Sequence, residues 1–358
     1  MKIAVALPVD LDVLTHAAQM VCQELVLSLL AAGDGLELEL ITPEQLVTQF
    51  EFNPIVAVPG RTSHLQVLRY EQFELPRLAK ESGAGILLMP YEAAPLKSPL
   101  PVLVFEALGA AAPPIGVSAR LLQAVRTAGV RGVSQHLVYK DLKDHHYPGD
   151  NLKLLDPWVH GSFQVLTDSE DRQVATRYGL PYSYVLAHGV SNADIPALLA
   201  AWTWVDGSVG DTVPLAVLVS GPSESRNWER VIKEIGLEHS LRLLHGVRFD
   251  ELPALYRRAE ALLQGGQAIE HQILRWAMAC GVPVVGFDVP AIADVLGSAG
   301  YLVDRGDTRA LGAACLTVIV EPEVKERLRQ EGLVRASAFH ANEAPDAHIR
   351  RSALALTA

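Results

Sequence analysis

Trp276-Ala277-Met278-Ala279-Cys280-Gly281-Val282-Pro283-Val284-Val285-Gly286-Phe287-Asp288 reads as the end of a helix of small residues, a Gly-Pro break and a short β-branched strand. That is the helix-to-strand step of a parallel sheet. Outward from it, apolar runs bounded by turn residues recur between segments of helical period. The first series falls at residues 2–7, 37–42, 85–89, 102–105, 164–167 and 185–186. A Trp-rich, Gly-containing stretch at 193–211 reads as a connector. A second series follows at 214–220, 241–245, 261–263, 283–286 and 301–303, with helices expected near 228–234, 250–260, 273–280 and 308–319. Strands alternating with helices imply parallel sheets covered on both faces, hence an α/β protein.

Composition bounds the function. The chain has 358 residues, of which 49% are hydrophobic and 20% charged. It is long for one core, so two domains are expected. The mean hydropathy of +0.20 is high. Even so, the apolar runs fall far short of the roughly 20 residues that span a bilayer, so no membrane span is expected. The N-terminus reads as a first strand and not a signal peptide, which gives a cytoplasmic location. The net charge is −11. Residues 1–200 hold 14 basic and 21 acidic residues, and the remainder 16 and 20, so neither half is a basic lobe. Nucleic acid is therefore not an expected partner. Cys22, Cys280 and Cys315 lie far apart with no CxxC pair and read as buried thiols.

The run from Trp276 onward resembles the LEAMACGVPVV signature of retaining glycosyltransferases of family 4. The likeness extends over most of the chain. Arg69-Tyr70-Glu71-Gln72, Leu75-Pro76-Arg77-Leu78-Ala79 and Ile86-Leu87-Leu88-Met89-Pro90 look like the "weQ…lP…DvlH.P" segment of mannosyltransferase-like members. Leu166-Thr167-Asp168-Ser169-Glu170 is similar to "vitvSe", and Ala187-His188-Gly189-Val190 to the "pnGvd" turn. Val219-Ser220-Gly221 with Arg226-Asn227 resembles the "vG…KN" loop. His245-Gly246-Val247, Asp250-Glu251-Leu252 and residues 255–259 follow "G.v.d.eL..ly..A".

The resemblance implies a GT-B fold, two Rossmann-like parallel-sheet domains facing across a cleft. The domains are expected at 1–195 on the acceptor side and 196–338 on the nucleotide-sugar side, with 339–358 packing back on the first. It implies transfer of a hexose, with retention, from a nucleoside diphosphate sugar to a glycan or lipid acceptor. The sugar nucleotide is a co-substrate, and neither cofactor nor metal is expected.

Stabilising the departing phosphate calls for fixed cations and helix N-termini. Arg226 is the candidate cation, with Gly221 and Asn227 beside it; Pro222 stands where members carry an Arg. Gly246, Val247 and Gln272 complete the expected donor contacts. The family's paired acids are absent, Ala268 and Trp276 standing at their positions. Neither side chain offers a carboxylate acceptor. Glu270 supplies a displaced acid and His271 a polar contact, or both belong to a solvated loop; Trp276 is a core aromatic or fills the ribose pocket. On the acceptor side, residues 14–19 hold His16 where members carry glycines. Glu106 ends a strand where members place a His-Asp pair. These departures leave a second reading open, a catalytically inactive GT-B pseudoenzyme that binds or scaffolds a protein partner. His136, Asp144, His145 and His146 suggest metal ligands or a surface loop. Adjacent extended residues point to opposite sides, which disfavours the metal.

Overall fold

The computed structural model describes residues 2–7, 9, 16–31, 37–44, 47, 55–60, 63–90, 95, 97–106, 130–133, 152–154, 157–166, 171–209, 212–219, 222–266, 271–341, 347 and 349. The chain divides into two compact units. The first comprises Met1–Val13, Val21–Pro157 and Glu343–Ala358; the second comprises Leu14–Met20 and Trp158–Asn342.

The first unit is built on seven strands: β1 (Lys2–Ala6), β2 (Glu37–Pro43), β3 (Ile55–Val58), β4 (Ile86–Met89), β5 (Val102–Glu106), β6 (Val130–Val133) and β7 (Leu152–Leu154). Their spatial order is β3-β2-β1-β4-β5-β6-β7. Every described pairing is parallel. Helix α1 (His16–Ala31) follows β1. Helices α2 (His64–Arg69) and α3 (Leu75–Glu81) are joined by a π turn at Tyr70–Glu74. Pro76 lacks the N–H that would continue the α ladder, and the Leu75 N–H donates to the Tyr70 carbonyl instead.

The second unit carries β8 (Tyr184–Ala187), β9 (Leu215–Val219), β10 (Leu241–His245), β11 (Ala259–Gln264), β12 (Val284–Phe287) and β13 (Gly300–Val303), again all parallel. The order is β10-β9-β8-β11-β12-β13. Read from the unit's first strand this is 3-2-1-4-5-6, the doubly wound order whose direction reverses between its first and fourth strands. Here those strands are β8 and β11. Both β8 and β9 are buried along their whole length, as a sheet covered on both faces requires. The helices are α4 (Asp171–Arg177), α5 (Ile195–Val209), α6 (Pro222–Ile235), α7 (Leu252–Arg257), α8 (His271–Ala279), α9 (Pro290–Leu296), α10 (Thr308–Val320) and α11 (Pro322–Ala341).

Several expectations meet a different outcome. The 193–211 connector is largely helix α5, because Ile195, Leu198, Leu199, Trp202 and Val205 fall on one helical face and are buried. Residues 164–166 are exposed and form no strand, only Phe163 turning inward. The helix expected to run to 260 stops at Arg257, and Ala259 opens β11. Strand 184–187 pairs with β9 and β11 and so lies in the second sheet, although it precedes the boundary expected at 195. The histidines at 136, 145 and 146, and nearly all of the proposed closing segment at 349–356, lie outside the described residues.

In the opening run, α8 ends with Gly281 at φ +70°. An added Cβ there would stand 3.2 Å from both Arg329 Nε and Val165 Cγ2. Glycine is therefore demanded by conformation and by space. The Val282 N–H donates to the Ala277 carbonyl across this turn, and β12 begins two residues later.

Candidate functional site

Open α/β sheets bind ligands outside the carboxyl ends of their strands, at the point where strand order reverses. In the second unit that point holds His188, just past β8, and Gln264, the last residue of β11. Gln264 Nε2 donates to the His188 carbonyl at 3.0 Å. This fixes the amide orientation and leaves Gln264 Oε1 buried without a partner. Glycines allow the chain to turn closely here. Gly189 has φ +70°, and a Cβ on it would lie 3.0 Å from Ala17 Cβ and 3.1 Å from Ile273 Cδ1; one on Gly265 would lie 2.8 Å from Leu198 Cα.

A directional chain of hydrogen bonds crosses this edge. His16 Nε2 lies 2.9 Å from the Val247 carbonyl oxygen, which only accepts, so that nitrogen carries the proton. In the neutral ring His16 Nδ1 then accepts, and its partner at 3.0 Å is His188 Nε2–H. His188 Nδ1 accepts in turn from the Tyr256 hydroxyl at 2.8 Å. One carbonyl thus sets both tautomers and the phenol rotor. Burial pushes the His16 pKa down to about 4, against a smaller upward pull from the Val247 carbonyl. Burial, then the neighbouring His16, pushes His188 well below its ordinary value.

Trp276 sits behind this chain with no exposed surface. Its ring stacks on Phe163, and Phe249 and Tyr256 meet it edge-on at 6.0 and 6.3 Å. His188 lies 6.0 Å away on a nearly parallel plane. Trp276 is therefore a core aromatic and presents no face to a ribose. On the same helix, His271 is buried with Nδ1 unpartnered, and burial, with the charge of Arg275, lowers its pKa to about 3. Gln272 is committed: Nε2 donates to the Trp158 carbonyl, and Oε1 accepts from Arg275.

Of the residues expected in the site, the structure joins His16 to Val247 and places Trp276 behind them. Arg226 is exposed on α6. Asn227 donates to Asn192 Oδ1 at 2.8 Å, and Gly246 turns the chain after β10 with φ +65°. Glu106 ends β5 in the first unit. Gly221 and Glu270 lie outside the described residues. Sequence reasoning missed His188, Tyr256 and Gln264 as site residues. The signal for Gln264 was a polar amide closing the strand after Ala261-Leu262-Leu263 and ahead of Gly-Gly. Among the described residues no group of three His, Cys, Asp or Glu side chains is gathered to hold a metal, and no helix is long and apolar enough to cross a membrane.

Two parallel-sheet α/β units of this kind make the architecture GT-B, and solved structures agree. WaaG, a glycosyltransferase involved in lipopolysaccharide biosynthesis, superposes with a TM-score of 0.70 at 14% identity over 99% of each chain. The Anabaena protein Alr3699/HepE, solved in complex with UDP-glucose, gives 0.72 at 14% identity over 99% of this chain and 100% of that one. Residues 185–321 match the family model described as glycosyl transferases group 1. That stretch of the second unit is thus similar to a group 1 glycosyl transferase domain. The O-antigen chain mannosyltransferase B of Escherichia coli is 27% identical over 204 residues, which cover 54% of this chain and 52% of that protein. The 2-deoxystreptamine N-acetyl-D-glucosaminyltransferase of Streptomyces fradiae is 29% identical over 147 residues, 38% of this chain and 33% of that protein. The matched region spans about half of the first relative and a third of the second.

Proposed function

We propose that this chain is a family-4-type glycosyltransferase that moves a hexose from a nucleoside diphosphate sugar to a glycan or lipid acceptor with retention. The observation that carries this reading is the β8–β11 reversal point inside the matched 185–321 domain, where the Gln264 amide meets the His188 carbonyl. The UDP-glucose complex of a protein with the same fold supports a sugar nucleotide as donor. In this reading the donor lies on the second unit. Arg226 and the N-termini of α6 and α8 steady the diphosphate, with Gly221, Asn227, Gly246 and Glu270 around it and His271 offering a neutral hydrogen-bonding nitrogen. Glu106 serves the acceptor.

The test is a thermal-shift panel of nucleoside diphosphates and sugar nucleotides, followed by a transfer assay. A ligand at one hundred times its dissociation constant stabilises by about 2.7 kcal/mol. Transfer lost in Arg226→Ala and kept in Arg309→Ala supports the reading; no shift across the panel overturns it.

One observation favours a second reading, a pseudoenzyme acting as a binding or scaffolding subunit. Trp276, which by the sequence resemblance stands where members carry an acid, is sealed in an aromatic core. Nucleotide binding without transfer to any acceptor, together with a stably co-purifying partner, would select it.

A further inference from the structure

The reversal point of the second sheet is closed. Residues 187–190 at the end of β8 and 264–266 at the end of β11 are all buried. The groups that cover this edge include the first turn of α1, which belongs to the second unit. His16 is held on one side by His188 and on the other by the Val247 carbonyl, and Ala17 packs where a side chain at 189 would be. Both His16 nitrogens are thereby used, so the ring has no free atom for a ligand.

We infer that the first turn of α1 is a plug: His16 fills the place of hydroxyls of the sugar nucleotide, which enters only when His16 leaves. The chemistry of the two groups it satisfies identifies what replaces it. With His16 gone, His188 Nε2–H needs an acceptor and the Val247 carbonyl needs a donor. Neighbouring hydroxyls of a ribose or hexose answer both, one accepting and the other donating, whereas an ionised phosphate oxygen answers only the first. The inference rests on the reading of the second unit as the sugar-nucleotide site. It adds that the free protein holds this site shut with its own side chain.

The experiment is calorimetric titration of the full chain with UDP, GDP, UDP-glucose and GDP-mannose, in the wild type and in His16→Ala and His16→Asn. Opening costs the wild type two buried hydrogen bonds that His16→Ala no longer has to break. That variant should bind at least about tenfold more tightly, near the effect of one net hydrogen bond. Hydrogen exchange on the wild type is the second measurement, and needs no folded variant. Peptides covering residues 16–20 should lose protection when the nucleotide binds. If His16→Ala binds equally or more weakly, or if residues 16–20 gain protection or keep it unchanged, His16 is a wall of the site and the plug is overturned while nucleotide binding stands. If neither wild type nor variants bind any of the four ligands, the sugar-nucleotide reading fails, and the plug falls with it.

Discussion

Trp276 lies flat on Phe163, with ring centroids 4.8 Å apart and planes inclined by 5°. The pair is the centre of an aromatic cluster in which neither ring is exposed. Trp276→Glu would place an unpaired carboxylate among these rings. It should unfold the second unit rather than confer activity. Truncation of a buried Trp to Ala costs about 3–5 kcal/mol, and the acid should cost more. Trp276→Phe should fold. Urea unfolding followed by circular dichroism measures all three.

His16, His188 and His271 are neutral in the folded protein, with pKa values lowered to about 4 for His16, well below 6.5 for His188 and about 3 for His271. In the unfolded chain each takes up a proton near pH 6.5. Because the unfolded state then binds more protons, stability is full above pH 6.5 and falls as pH drops toward 4. The loss is about 1.4 kcal/mol per pH unit for each histidine. Urea midpoints at a series of pH values should show it. His271→Gln should flatten the slope by one proton's worth; an unchanged slope would refute the neutral assignment.

Helices α5 and α10 touch at Gly312, where an added Cβ would lie 2.5 Å from the Ala201 carbonyl oxygen and 2.8 Å from Trp204 Cβ. Gly312→Ala should therefore separate the helices and cost about 1–3 kcal/mol. Gly207, inside α5, has open space around it. Gly207→Ala should instead stabilise by about 0.5–1 kcal/mol. Melting temperatures moving in opposite directions would separate packing from propensity.

Arg257 grips Asp171 with two hydrogen bonds, Nε to Oδ2 at 2.7 Å and Nη2 to Oδ1 at 2.6 Å, joining α7 to α4. Both side chains are about nine-tenths buried. Asp171→Ala leaves the guanidinium without its carboxylate and should cost about 3–5 kcal/mol. The double variant Asp171→Ala, Arg257→Met should recover much of this loss. A double-mutant cycle in urea would show the coupling.

Much of the fold was legible because parallel strands buried on both faces are continuous apolar runs. Residues 37–42, 85–89, 214–220, 241–245 and 283–286 carried that signal and became β2, β4, β9, β10 and β12. Strands β3, β6 and β7 were not among the expected runs; β6 and β7 interrupt their apolar residues with Arg131, Gly132 and Lys153. Helix α5 was obscured by its Trp and Gly content, although its buried residues keep the helical period. At the site, Val247 and His16 were singled out separately, 231 positions apart, and nothing local indicated that they touch.

The sequence by itself determined an α/β chain of parallel strands alternating with helices and the helix-to-strand step at 276–288, since these follow from local pattern and residue chemistry. Only the tertiary structure decided what those residues do. Trp276 became core because Phe163, Phe249 and Tyr256 converge on it from other segments. His16 became neutral because burial disfavours its charge, and fully committed because a backbone carbonyl just past β10 and a histidine just past β8 meet its two nitrogens. A side chain's role at such a site is set by partners distant in the chain, and the crossovers of the sheet bring them together.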